Sequence, residues 1–417
     1  MTAGAGGGTV GPAAEADPAR WRALALVCLA VVLALTTWFS ATAILPEIER
    51  DLGLSPAEAS WLANGVQIGF VLGALAASMV NLPDIVRLNR LMAVAALAAA
   101  GSNAALLLEP GPAGLVAARA ATGVAIAAVY PPAMKLVSTW FRRERGFALG
   151  ALIGAVTLGS AMPYLFRALS ATLPWQAVVT ASSLAAAAGG LVFLLFGREG
   201  PFPFGKAVFD PGQIGAVLRD RPLLLVTFGY LGHMWELYAM WAWILLYVRA
   251  AFEAQGLSGP SLAPLVAFLA VAAGAAGCLA GGVLSDRIGR TAATALMMTG
   301  SGASALLVGF AFDGPTWLFL AIALVWGFTI VGDSAQFSTS VTELADPRYV
   351  GTALSLQVAL GFALTILAIW LVPQLVALLS GWRWAFAVLA VGPVLGTIAM
   401  LRLRALPESV RLAGGRR

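Results

Sequence analysis

Few side chains in the apolar stretches of this sequence can carry charge or a proton. His233 and Glu236 stand three residues apart, hence on one helix face, inside the aromatic run Gly229–Trp241. His233 is the only histidine in the chain. Imidazole titrates near neutrality and a carboxyl is the other common proton carrier, so the two read as a proton-coupling pair. Asp333 and Gln336 repeat the spacing, with Ser340 following on the same face. Asp333 reads as an acid for proton release or inner gating, whether hydrated at the surface or facing a cavity. Arg119 shares a face with Gly123, Ile126 and Tyr130. Its guanidinium is always charged and suits a carboxylate, nitrate-like anion or phosphate. It therefore reads as a solute anchor, as the partner of a proton-binding acid, or as an ion pair between helices. Trp38, Tyr230 and Trp241 are candidate aromatic lining, and Thr36, Thr37, Asn64, Gln67 and Gln357 candidate polar lining.

These groups need a membrane-spanning frame, where an ionisable side chain costs at least ~2.5 kcal/mol and usually faces a cavity. Of 417 residues, 60% are hydrophobic and 11% charged, whereas soluble domains carry about a quarter charged residues. The apolar residues form runs of about twenty, enough for a helix to cross ~30 Å of hydrocarbon. The first six runs are 22–46, 58–80, 89–108, 112–136, 146–169 and 175–197. The second six are 222–249, 262–284, 291–311, 315–341, 348–373 and 381–404. One long connection, Arg198–Arg221, contains Pro201, Pro203, Pro211 and seven charged residues and parts six spans from six. The expected organisation is a tail (1–21), a six-helix bundle (22–197), a linker (198–221), a second bundle (222–404) and a tail (405–417). Met1–Arg20 lacks the basic region and cleavage site of a signal peptide, so the first span is expected to be retained. Pro131–Pro132 and Pro163 should bend or break spans four and five.

Twenty Lys and Arg residues fall on the linker side of this layout and four, Arg50, Arg167, Arg249 and Arg383, on the other. That bias places both termini and the linker in the cytoplasm and explains the net charge of +5 without nucleic acid. Lys135, just beyond the double proline, should snorkel to the inner surface. Cys28 and Cys278 lie inside apolar runs, where a thiol behaves as a small hydrophobe. Neither a disulfide framework nor a metal cluster is expected.

The chain also repeats itself. Gly282-Val283-Leu284-Ser285-Asp286-Arg287-Ile288-Gly289-Arg290 lies between spans eight and nine, and a worn copy, Asn81–Arg90, lies between spans two and three. Arg145-Gly146 opens span five as Arg348-Tyr349-Val350-Gly351 opens span eleven, and Trp38 in span one matches Trp241 in span seven. Parallel halves of six helices place a solute site between them. In the nine-residue segment Asp286 can cap a helix N-terminus, while Arg287 and Arg290 can pair with acids and lock one face of the bundle.

With these features the chain resembles the major facilitator superfamily over residues 20 to 406. Gly282, Leu284, Asp286, Arg287, Gly289 and Arg290 match the family's Gly-x-Leu-x-Asp-Arg-x-Gly-Arg signature, although that signature is best known between spans two and three. The first-half copy keeps Asp84, Arg87 and Arg90 and loses the glycines. Arg119 and Gly123 match a span-four pattern, and Gly150, Gly154, Gly159 and Pro163 resemble a span-five antiporter pattern. Within the family the nearest tone is that of nitrate- or cyanate-type porters.

The resemblance implies an all-α membrane protein of twelve helices in two pseudo-symmetric bundles, working by alternating access. The expected function is proton-coupled transport of a small anionic or amphiphilic solute across the inner membrane. Drug or metabolite efflux by an antiporter of this fold is the alternative, and a non-transporting sensor or assembly subunit a lesser one. No Gly-x-x-x-x-Gly-Lys-Ser/Thr loop or His-Glu-x-x-His pattern occurs, so neither an ATP-driven pump nor an enzyme is expected. The expected form is a monomer in the lipid bilayer, with no cofactor beyond the proton as coupling ion.

Overall fold

A computed structural model of the protein describes residues 18–142, 144–202 and 210–417. Residues 1–17 of the tail, Arg143, and the linker stretch with Pro203 and Lys206 lie outside the described residues. All regular structure among the described residues is helical. Ten helices are long and apolar enough to cross a membrane: Pro56–Met79, Leu88–Leu108, Gly111–Ser138, Arg145–Leu169, Gln176–Phe196, Leu262–Ile288, Arg290–Phe310, Thr316–Leu344, Val350–Leu378 and Ala385–Arg404. Two others complete the twelve. The first span is Ala19–Leu35, continued by turns at 36–41 and the short helices Thr42–Ile44 and Leu45–Leu52. The seventh is Arg221–Ala254, 34 residues long, in which His233 and Glu236 interrupt the apolar character.

Local chemistry sets several helix ends. Ser55 and Glu58 form a capping box before span two: the Ser55 hydroxyl accepts from Glu58 N–H, and the Glu58 carboxylate accepts from Ser55 N–H at 2.8 Å, with Pro56 in the first turn. Asp220 caps span seven by accepting from Leu223 N–H at 3.2 Å, again with a proline beside it.

Three spans are broken inside the bundle. Span four stops at Ala127 and restarts at Tyr130. Pro131 and Pro132 bring no N–H to pair with the carbonyls one turn earlier, and their rings crowd that turn. Span ten is interrupted at Val331–Asp333, and span one unwinds after Leu35. Span five, by contrast, passes Pro163 as one uninterrupted helix, Arg145–Leu169, so of the expected bend or break no break occurs there. The Gly282–Arg290 segment is also less of a loop than its sequence implied. Span eight stays helical to Ile288, Gly289 turns the chain at φ +93°, and span nine begins at Arg290. Asp286 thus sits in the last turn of a helix rather than capping the next one.

The halves meet where span five runs along span eight and span two against span eleven. Small residues make this possible: a Cβ on Gly154 would lie 3.2 Å from the carbonyl oxygen of Ala275.

Candidate functional site

At the centre of the interface the two halves contribute one aromatic cluster. Trp38 and Phe39 come from the unwound part of span one, Phe70 from span two, Tyr238 and Trp241 from span seven, and Phe362 from span eleven. Ring centroids are 5.5 Å apart for Trp38 and Tyr238, 4.2 Å for Phe70 and Phe362, and 5.9 Å for Phe39 and Trp241. All six are buried. Tyr230, two turns along span seven from Tyr238, stacks near His233 at 6.1 Å. Gly361 leaves room for it, since a Cβ there would overlap the Tyr230 ring.

Polar atoms lie buried on the same helices. The indole N–H groups of Trp38 and Trp241 and the complete side-chain amides of Asn64, Gln67 and Gln357 have no hydrogen-bond partner among the described residues. An unsatisfied buried polar group costs about 1–3 kcal/mol, so five on the four spans that supply the aromatic cluster need an external reason to persist.

Arg119 is buried, and its amino groups face neutral oxygens. Nη1 donates to the carbonyl of Thr37 at 2.8 Å, to Asn103 Oδ1 at 3.1 Å and to Ser40 Oγ at 3.2 Å, and Nη2 donates to the carbonyl of Trp38. Unwinding span one frees exactly those kinds of acceptor, which lipid cannot satisfy, and the planar fork of arginine reaches several at once. Arg119 is thus a staple across the break that carries Trp38. It pairs with no acid among the described residues. Asn103, which also donates to Ser183 Oγ at 2.9 Å, and Ser40 were missed in the sequence; Asn103, a polar residue in a span, was the available signal. Thr36 and Thr37 donate to backbone carbonyls, Thr36 to Ser182 O at 2.8 Å.

The acidic groups divide differently from the sequence expectation. His233 Nδ1 lies 2.9 Å from Asp333 Oδ1. Glu236 Oε1 instead accepts from the indole of Trp326 at 2.7 Å. His233 and Glu236 do share a face, but they address span ten at and before its break and do not form the expected pair. Asp333 is 2% exposed, so it is enclosed rather than hydrated.

The sequence matches the profile of the Major Facilitator Superfamily over residues 27–369. The chain belongs to that superfamily. Puromycin resistance protein pur8 of Streptomyces alboniger is 34% identical over 167 residues, 38% of this chain and 32% of that protein. Cephamycin export protein CmcT of Amycolatopsis lactamdurans is 29% identical over 317 residues, 72% of this chain and 58% of that protein. The chain thus spans less than two thirds of the length of either relative. Among solved structures, a bacterial homolog of the human lysosomal transporter Spinster, inward-facing and occupied, superposes with a TM-score of 0.71 at 14% identity, covering 94% of this chain and 98% of the other. A D-xylose–proton symporter gives 0.69 at 14% identity, covering 93% and 98%. These two likenesses establish the fold.

The superfamily signature organises the linker face of this chain. Arg290 donates to Asp286 Oδ1 at 2.8 Å, to Ser285 Oγ at 2.7 Å and to Glu343 Oε1 at 3.2 Å. Ser285 in turn donates to Gln336 Oε1 at 2.6 Å. Gln336 therefore joins the signature to span ten instead of sharing the His233–Asp333 contact. The second tail folds over this network. Arg416 donates to the Asp286 carbonyl at 2.6 Å, and a Cβ on Gly289 would collide with the carbonyl of Arg417. Arg287 is exposed, and Gly282 faces open space. In the first-half copy Asp84 accepts from Lys135 at 2.5 Å, so Lys135 is tied to the copy rather than extended alone.

Proposed function

We propose that this transporter moves an amphiphilic, ring-bearing solute by proton-coupled alternating access. The observation that carries the reading is the interface cluster of Trp38, Phe70, Tyr238, Trp241 and Phe362, with the unpartnered amides of Asn64, Gln67 and Gln357 on the same spans. Flat aromatic walls hold rings, and amides both donate and accept, so such a site serves a solute with scattered polar groups. A fixed anion anchor is less well supported, because the amino groups of Arg119 are taken by neutral oxygens. The similarity to a puromycin resistance protein and a cephamycin export protein supports export of such molecules.

His233 with Asp333 is the proposed proton site. With one added proton this pair has no net charge, and without it one negative charge. Glu236, held by Trp326, is the second proton carrier in this reading. The proposed setting is the bacterial inner membrane, with the linker face and both termini cytoplasmic and the protein acting as a monomer. The test is flux in proteoliposomes of puromycin, cephamycin and nitrate, with and without an imposed pH gradient. Gradient-driven movement of either antibiotic supports the reading. Transport of nitrate alone, or flux indifferent to the gradient, overturns it.

A further inference from the structure

On the face opposite the linker a single carboxylate joins three spans. Glu47 belongs to Leu45–Leu52, the segment beyond the break in span one. Its Oε1 accepts from Arg249 Nη2 at 2.7 Å and from Arg167 Nη2 at 3.2 Å. Arg167 ends span five in the same half, whereas Arg249 lies near the end of span seven in the other half. Among the described residues the linker-face ion pairs Arg20–Glu144, Lys135–Asp84, Arg290–Asp286 and Arg290–Glu343 each stay within one half. Glu47–Arg249 crosses between halves.

We propose that Glu47 is the latch that holds the far face shut, released when Arg249 leaves the shared carboxylate. The three side chains are 10%, 8% and 28% exposed for Glu47, Arg167 and Arg249, so solvent screens their attraction only in part. The cluster is also built to let go. Glu47 Oε2 and Arg167 Nε are buried without partners, and a partly satisfied polar cluster holds less firmly than a complete one. Arg167 is fixed independently, donating to the carbonyls of Ser170 and Leu173 at 3.2 and 3.0 Å. Glu47 therefore stays with its own half when the halves part, and Arg249 is the group that moves. Deeper in the interface Tyr164 donates to the carbonyl of Trp241 at 2.5 Å, again between halves. The latch also lies in span one, beyond the unwound stretch that bears Trp38.

The inference rests on alternating access between two halves, and neither on the solute nor on proton coupling. Its test reads distance instead of flux. Spin labels at Asp51→Cys and Glu253→Cys, in a Cys28→Ser/Cys278→Ser background in nanodiscs, report the separation of spans one and seven on the far face. Glu47→Gln and Arg249→Gln are each expected to raise the open-to-closed ratio about tenfold or more, a shift of ~1.4 kcal/mol. Arg167→Gln keeps the crossing pair and should leave the ratio within about twofold. The double variant Glu47→Gln/Arg249→Gln should open no further than the stronger single one. Unchanged distances in both Glu47→Gln and Arg249→Gln, with folding verified by size exclusion, overturn the latch. Equal opening by Arg167→Gln overturns the assignment of the moving partner to Arg249.

Discussion

His233 Nδ1 approaches Asp333 Oδ1 to 2.9 Å where span ten breaks, and neither side chain is more than 2% exposed. The contact has a local cause. Asp333 precedes the helix Ser334–Leu344, whose N-terminal end favours negative charge, and His233 reaches it from an unbroken stretch of span seven. A change of charge at this point bears on the only covalent connection between the upper and lower parts of span ten. The lower part carries Gln336 and Glu343, the two acceptors that tie it to Ser285 and Arg290.

Asp333→Asn removes the negative charge that balances a proton on His233 while nearly preserving the shape of the site. Gradient-driven flux is expected to fall about 100-fold, equivalent to ~2.7 kcal/mol, while solute exchange without a gradient stays within about threefold. Flux assays in proteoliposomes under both conditions check this. Equal losses in the two assays would place Asp333 in solute binding or folding instead.

Glu236→Gln retains an oxygen that can accept from Trp326, so thermal stability should change by less than ~1 kcal/mol. The same variant should lose most gradient-driven transport if Glu236 carries a proton. A melting curve beside a flux measurement separates the two effects. Near-normal coupling in a stable variant would restrict the proton role to His233 and Asp333.

Arg119→Gln tests the staple. It removes charge-assisted bonds to Thr37, Trp38, Ser40 and Asn103, and bonds to charged groups contribute about 1.5–3 kcal/mol each, although not additively. A loss of about 2–4 kcal/mol in stability is expected, together with altered tryptophan fluorescence as Trp38 shifts. A solute anchor would behave otherwise, weakening anion binding and leaving the melting temperature in place.

The frame was legible in the sequence because lipid demands long apolar helices and because both copies of the charged segment mark the same point in each half. Breaks were legible only where proline caused them, in span four. Span one unwinds at Thr36–Ala41 without any proline, and its cause is tertiary: Arg119, eighty residues on, supplies the donors that the freed carbonyls need. The partners of His233 and Glu236 were hidden for a related reason. Helical spacing says which residues share a face, yet both side chains look across to span ten, whose rotation and break no spacing rule sets. The latch at Glu47 was invisible too, since Arg167 and Arg249 read only as members of a sparse outer charge set until the fold brought them to one carboxylate.

Gln67→Leu and Gln357→Leu put opposite signs on stability and function. Each amide is buried with neither its oxygen nor its nitrogen partnered in the protein. Replacing such a group by an apolar one of similar size removes a desolvation cost, and a gain of about 1 kcal/mol in stability is expected for each. If the amides serve the solute, the same substitutions discard a hydrogen bond made only when it is bound. Affinity should then fall about five- to tenfold, or ~1–1.4 kcal/mol, measured by quenching of the cluster tryptophans. A residue retained for packing would show the reverse pattern, with lower melting temperature and unchanged affinity. A more stable protein that binds more weakly is the signature of a site whose polar groups wait for a ligand.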